Sequence, residues 1–172
     1  MITIRPIQES DAAAFLALRT NLDAQTRLMM LEQGERDQDL EQQRAELRAV
    51  LARANHIILV AVGQDRQLVG YLEAEGGWFR RNRHVATIVV GILHAYQGQG
   101  VGTRLFQSVE VWARECGIRR LELTVMVHNK AAQALYTKMG FVSEGRRHWS
   151  LLVDGAFVDE YSMAKLLPAD EG

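Results

Sequence analysis

The feature that most constrains this chain is a glycine loop set between two apolar segments of different period. Val85 to Leu93 is a nearly continuous apolar run, as a central strand requires. Gln97-Gly98-Gln99-Gly100-Val101-Gly102-Thr103 follows it. Val101, Leu105, Val109 and Ala113 then recur at helical spacing with Phe106 and Trp112 beside them, while Arg104, Gln107, Glu110 and Arg114 take the other side. Gly117 ends that amphipathic helix. Strand, glycine loop and helix in this order make an anion site. The first helical turn leaves its N–H groups unpaired, and the helix dipole adds about half a positive charge there. Glycine at 98, 100 and 102 lets a phosphate come close to those amides, and a mere tight connection needs fewer of them.

Two nucleotide loops match poorly. A Walker loop needs Gly-Lys-Ser/Thr, and Gly102-Thr103 lacks the lysine. The dinucleotide fingerprint needs glycine where Thr103 stands, and its ribose-binding acid would be Glu122, inside a strand rather than at its end.

Around the loop the chain alternates between helix and strand signals. Ile2 and Ile4 predict a short opening strand stopped by Pro6, and Ser10 or Asp11 caps a helix running to Thr20. Asn21 to Asp39 reads as a loop carrying Leu28-Met29-Met30-Leu31, followed by a Gln-rich charged helix from Leu40 towards Asn55. His56–Val62 and Gln67–Glu73 flank a turn at Gly63 and predict a hairpin; the basic stretch Arg80 to Arg83 after it reads as an exposed loop. Leu121–Val125 is a strand. Asn129 caps a helix with Ala132, Leu135, Tyr136 and Met139 on one face, closed by Gly140. Phe141-Val142 opens another strand, and Asp154-Gly155 turns a hairpin between Trp149–Val153 and Phe157–Tyr161.

Composition narrows the function classes. With 172 residues, 48% hydrophobic and 24% charged, the chain suits one globular domain, 1–172. A net charge of -1 argues against nucleic acid and membrane surfaces as partners. The opening Met1–Pro6 lacks the features of a signal peptide and no apolar run is long enough to span a bilayer, so the expected location is cytoplasmic. Cys116 is the one cysteine and reads as packing, and His94 and His128 have no metal-ligand spacing, so no metal is expected.

Gln97-x-x-Gly100-x-Gly102 resembles the pyrophosphate loop of the GNAT superfamily, the acyl-CoA-dependent N-acyltransferases. Asn129-Lys-Ala-Ala-Gln-Ala-Leu-Tyr136-Thr-Lys-Met-Gly-Phe141 is similar to that family's second signature, N-x-x-A-x-x-L-Y-x-K-x-G-F, at every defining position. The order of elements agrees over nearly the whole chain. The resemblance implies an α+β (mixed α/β) fold: a central, mostly antiparallel sheet of about seven strands, helices on both faces, and a splay between the fourth and fifth strands. It also implies acetyl-CoA as co-substrate and transfer of its acetyl group to a primary amine of a small molecule such as an amino acid or polyamine. Alternatives are a protein N-terminal acetyltransferase and a non-catalytic acyl-CoA sensor; a nucleotide-binding α/β protein is the alternative outside the family.

Carried over residue by residue, Gln97, Gly98, Gln99, Gly100, Val101, Gly102 and Thr103 would hold the coenzyme pyrophosphate. Val90, Gly91 and Ile92 would bond the pantetheine arm, and Asn129 its neighbourhood, although a simple helix cap also explains Asn129. Tyr136 corresponds to the tyrosine that protonates the leaving thiolate: a thiol of pKa about 8.5 leaves readily and a phenol of about 10 can donate to it. Core packing is the competing role for that tyrosine. Many relatives carry a glutamate base on the central strand, and Thr87 stands there, which leaves Glu73, Glu75 and His84 as candidate bases. Leu28 to Leu31, Trp78, Phe79 and Trp149 could line an acceptor pocket or belong to the core. The closing hairpin, Trp149 to Lys165, is where similar proteins often pair as homodimers.

Overall fold

The computed structural model of the protein describes residues 1–169. Its strands are β1 (Thr3–Pro6), β2 (His56–Val62), β3 (Leu68–Gly76), β4 (Val85–Ile92), β5 (Arg120–Met126), β6 (Val142–Val153) and β7 (Ala156–Leu166). They form one seven-stranded sheet in the order β1-β2-β3-β4-β5-β7-β6. Every neighbouring pair is antiparallel except β4 and β5, which run parallel. That pair meets only over Val85–Thr87 and Arg120–Glu122. Beyond Thr87 the two strands part, so Ile88–Ile92 and Leu123–Met126 have no ladder partner on their facing edges. The splay stands where the GNAT resemblance implies it.

The helices are α1 (Ala12–Gln25), α2 (Leu40–Leu51), α3 (Val101–Glu115) and α4 (Lys130–Lys138). Glycines reveal which face each helix covers. A methyl group at Gly91 would meet Leu22 of α1 and Tyr71, whereas one at Gly102 would meet Leu135 of α4 and Ile92. Thus α1 covers one face of the sheet and α3 and α4 the other. In α3 the expected stripe is buried: Val101, Leu105, Phe106, Val109 and Ala113. Asp39 caps α2 by accepting from the N–H groups of Glu41 (2.9 Å) and Gln42 (3.2 Å).

Two boundaries differ from the sequence expectation. The first helix continues past Thr20 to Gln25, so the connecting segment begins at Thr26. Thr20 tolerates the helix interior by returning its hydroxyl to the Leu16 carbonyl at 2.9 Å. Leu22 and Asp23 are buried, and Asp23 accepts from Arg36 at 2.6 and 3.0 Å. That tertiary ion pair has no local sequence signature. The last hairpin is also longer than expected, because Val142–Val153 is one strand. An irregularity between Arg147 and Leu151 interrupts its register. There Trp149 sits at φ 52 and donates its N–H to Asp159 at 2.8 Å.

Candidate active site

The loop after β4 is braced by its own side chains. Gln97 donates its side-chain amide to the Ile92 carbonyl at 3.0 Å, and Gln99 to Ala95 at 2.7 Å. Gly98 and Gly100 adopt φ 70 and 78, backbone values that side chains disfavour. A methyl group at either would meet nothing within 4 Å, so these two glycines serve backbone conformation beside open space. Gly102 serves a different purpose: its Cβ would lie 2.7 Å from Leu135 Cδ2, so it permits α3 to press against α4. Gly100 is the N-cap of α3, and the Arg104 N–H is the first to bond back, to Gly100 at 3.1 Å. The N–H groups of Val101, Gly102 and Thr103 therefore lack helical partners. Lys138, at the end of α4, donates to Thr103 Oγ1 at 3.3 Å and brings a cation to the same place.

A cavity of about 580 Å³ extends from this loop through the splay to the far face of the sheet. Its wall includes Val90, Gly91 and Ile92 of β4, and Thr124, Val125 and Met126 of β5. From α4 it takes Asn129 and Tyr136. Asn129 spends its side-chain oxygen on the Ala132 N–H at 3.2 Å, capping α4. Tyr136 is 7% exposed, with Phe106 edge-on at 5.6 Å and Phe141 at 6.1 Å. Burial pushes its hydroxyl up to about 12. A phenol so weakly acidic stays protonated at working pH and serves best as a hydrogen-bond donor to charge developing on sulfur.

The acceptor side is made by Leu28, Met29 and Met30 from the 26–39 segment, Val89 of β4, Leu151 of β6 and Glu160 of β7. Register explains how Glu160 comes to it. Glu122 lies beside Thr87, and alternation puts Glu122, Thr124 and Met126 on one face; their β7 partners are Ala164, Ser162 and Glu160. That face also carries Val89 and Gly91, so Glu160 faces the acceptor end of the cavity while Tyr136 reaches it from the helix on the opposite face.

The candidate bases lie elsewhere. Glu73 is 2.8 Å from His56 Nε2, and Glu75 accepts from Arg53 at 2.9 Å and from the Trp78 indole at 3.1 Å. His84 is exposed, ahead of β4, and its carbonyl accepts from Arg119 at 2.8 Å. None of the three lines the cavity, and Thr87 does not either. Of the apolar pocket candidates, Leu28, Met29 and Met30 line it, whereas Trp78, Phe79 and Trp149 do not. Arg53 stacks over Trp78 at 3.6 Å, and Trp149 stacks on Phe157 at 4.8 Å, with both Trp149 and Phe157 exposed. Sequence reasoning missed Lys138 and Glu160. The lysine was visible as the Y-x-K position of the second motif; Asp159-Glu160-Tyr161 stood out only as part of a family-like closing segment, and the place of Glu160 at the cavity comes from cross-strand register.

Residues 20–141 match the model of the Acetyltransferase (GNAT) family. The chain belongs to this family, whose members draw an acetyl group from acetyl-CoA. It is 32% identical over 103 residues to the L-amino acid N-acetyltransferase of Escherichia coli, a match covering 59% of this chain and 64% of that protein. The match thus spans somewhat less than two thirds of that relative. An aminoglycoside N(6')-acetyltransferase type 1 of Stenotrophomonas maltophilia is 32% identical over 152 residues, 81% of this chain and 85% of that protein. A crystal structure of a GNAT-family acetyltransferase from Streptococcus pneumoniae superposes with a TM-score of 0.93 at 30% identity, covering 98% of this chain and 100% of that one. Among the described residues no helix is long and apolar enough to cross a membrane, and no cluster of metal-ligating side chains occurs.

Proposed function

We propose that the protein moves the acetyl group of acetyl-CoA to the primary amine of a small molecule by direct attack. The observation that carries this reading is the single cavity running from unpaired helix N–H groups, through a splayed strand pair, to an apolar chamber on the other face. In this reading Gln97 to Thr103 hold the pyrophosphate through backbone donors, assisted by the Lys138 ammonium. The unpartnered edge at Val90, Gly91 and Ile92 bonds the amides of the pantetheine arm as a further strand would, and Asn129 borders that arm. The thioester then lies between Tyr136 on one side and the acceptor chamber on the other. Tyr136 donates to the sulfur as the C–S bond breaks. Two relatives whose names specify amino acids and aminoglycosides support a small amine as acceptor. The exposed Trp149–Phe157 stack on the closing hairpin supports pairing of two copies.

Acetyl-CoA at about a hundred times Kd should stabilise the folded protein by roughly 2–3 kcal/mol, read as a rise in melting temperature. The same preparation should release thiol when offered free amino acids, polyamines, aminoglycosides or simple alkylamines, and light scattering at tens of micromolar should report a dimer. Binding with no thiol release from any amine would mark a sensor in place of an enzyme. Release confined to peptides would mark an N-terminal acetyltransferase.

A further inference from the structure

Resting on the acetyltransferase reading above, we infer that Glu160 receives the acceptor's ammonium group and takes its proton, and that the acceptor is a primary monoamine with an apolar substituent. Among the described residues two charged side chains line the cavity, Lys138 and Glu160. Lys138 belongs to the glycine loop through Thr103. Glu160 is therefore the one anion on the wall among the described residues. It is 6% exposed, and its ion-pair partner among the described residues is Arg147 at 3.6 Å, beyond hydrogen-bond reach. No hydrogen bond from the described residues reaches its carboxylate, so its oxygens are left for a donor that enters the cavity. An ammonium group brings three donors and a full charge to that place. Glu73 and Glu75, by contrast, lie outside the cavity, and each has one oxygen engaged, Glu73 with His56 and Glu75 with Arg53 and Trp78.

The rest of the chamber defines the other end of the acceptor. Leu28, Met29, Met30, Val89 and Leu151 line the same cavity as Glu160, and no second carboxylate lines it among the described residues. A polyamine or aminosugar would set its additional ammonium groups against that wall without partners. A single amine on an apolar body fits both halves.

The proton and electron balance closes with these groups. The ammonium R–NH3+ gives one proton to the Glu160 carboxylate, and the freed lone pair forms the C–N bond at the acetyl carbon. The C–S bond breaks with its electron pair on sulfur, which accepts a hydrogen bond from Tyr136. The second nitrogen proton passes to sulfur through the Tyr136 hydroxyl, giving the amide and the coenzyme thiol. Glu160 then returns its proton to solvent.

The test is steady-state kinetics of Glu160→Gln beside wild type, with phenethylamine and trifluoroethylamine as acceptors and Kd for acetyl-CoA measured in parallel. Phenethylamine is an ammonium ion at assay pH, whereas trifluoroethylamine is already neutral and needs no base. The expected loss in kcat/KM is about 10²–10⁴-fold for phenethylamine and about tenfold or less for trifluoroethylamine, with Kd for acetyl-CoA unchanged. Wild type should also prefer phenethylamine to spermidine. An equal loss with both acceptors, no loss with either, or a preference for spermidine overturns the inference. If Glu160→Gln does not bind acetyl-CoA, Glu160→Ala, which also lacks the carboxylate, carries the same comparison, and failure of both variants to bind assigns Glu160 to structure. Wild type that releases thiol with no amine breaks the acetyltransferase reading itself, which these outcomes keep separate.

Discussion

The proposed coenzyme side of the cavity is made largely of backbone, while the acceptor side is made of side chains from distant parts of the chain. On the coenzyme side, helix N–H groups and a bare strand edge offer donors and acceptors that do not depend on which side chains surround them. On the acceptor side, Met29 and Met30 from the first connection, Val89 from the middle and Glu160 from the last strand meet only after folding. Backbone recognition tolerates many sequences around one loop, so one coenzyme can serve many relatives. Side-chain walls change freely, so the acceptor can differ between relatives that share the fold. Tyr136 stands on the first side and Glu160 on the second, and substitutions there probe the contrast most directly.

The largest effect is expected at Tyr136. Tyr136→Phe keeps the ring against Phe106 and Phe141 and removes only the hydroxyl. The expected loss is about 10²–10⁴-fold in kcat, with KM for acetyl-CoA nearly unchanged, because the backbone contacts remain. Steady-state kinetics with melting curves for both proteins provide the check. A kcat within threefold of wild type, where chemistry limits the rate, would mean that the thiolate leaves unassisted and that the tyrosine is packing alone.

The same contrast explains what the sequence made legible. The glycine loop and the Asn129–Phe141 motif are local patterns, so the loop, α3, α4 and the proposed coenzyme side could be read from consecutive residues. The splay was implied by resemblance and is visible in the structure as a ladder that stops at Thr87 and Glu122. The extension of α1 could not be read, because it depends on Asp23 meeting Arg36 across a loop. Glu160 could not be read either. A glutamate in an Asp-Glu-Tyr stretch looks like any strand residue until its register against Met126 is known. Glu73 and Glu75 do stand on the neighbouring strand, but what each meets, His56 across the strand and Arg53 from the connection before it, is set by tertiary packing that consecutive residues do not reveal.

An intermediate effect separates the glycines. Gly100→Asp puts a side chain at φ 78 and a negative charge among the N–H groups meant for phosphate. Affinity for acetyl-CoA should fall about tenfold or more by calorimetry, with the circular dichroism spectrum retained. Gly102→Ala acts on packing, since its new methyl would press on Leu135. It should lower stability by about 1 kcal/mol, the low end of overpacking, because a leucine methyl can turn away. Should Gly102→Ala melt as wild type does while losing acetyl-CoA as completely as Gly100→Asp, the division between conformational and packing glycines would be wrong.

The smallest effect compares one tyrosine from each side of the sheet. Tyr71 lies on the acceptor face, edge-on to Phe15 at 5.1 Å, and burial pushes its hydroxyl up to about 12, as it does for Tyr136 on the coenzyme face. For an acid, a raised value in the folded state means that folding holds the proton more tightly than the unfolded chain does. The stabilisation is complete below the ordinary value of 10.0 and is lost as pH rises from there towards about 12. Stability should therefore be insensitive to these two groups at neutral pH and fall on the alkaline side. Phenolate absorbance should show two of the four tyrosines resisting ionisation, and the Phe variants assign them. Coenzyme A sharpens the comparison. Its thiolate would sit against Tyr136 and oppose a second negative charge there, delaying that ionisation while leaving Tyr71 as it was. A coenzyme-induced delay at Tyr71, or at neither tyrosine, would put the sulfur away from α4 and break the assignment of the two sides.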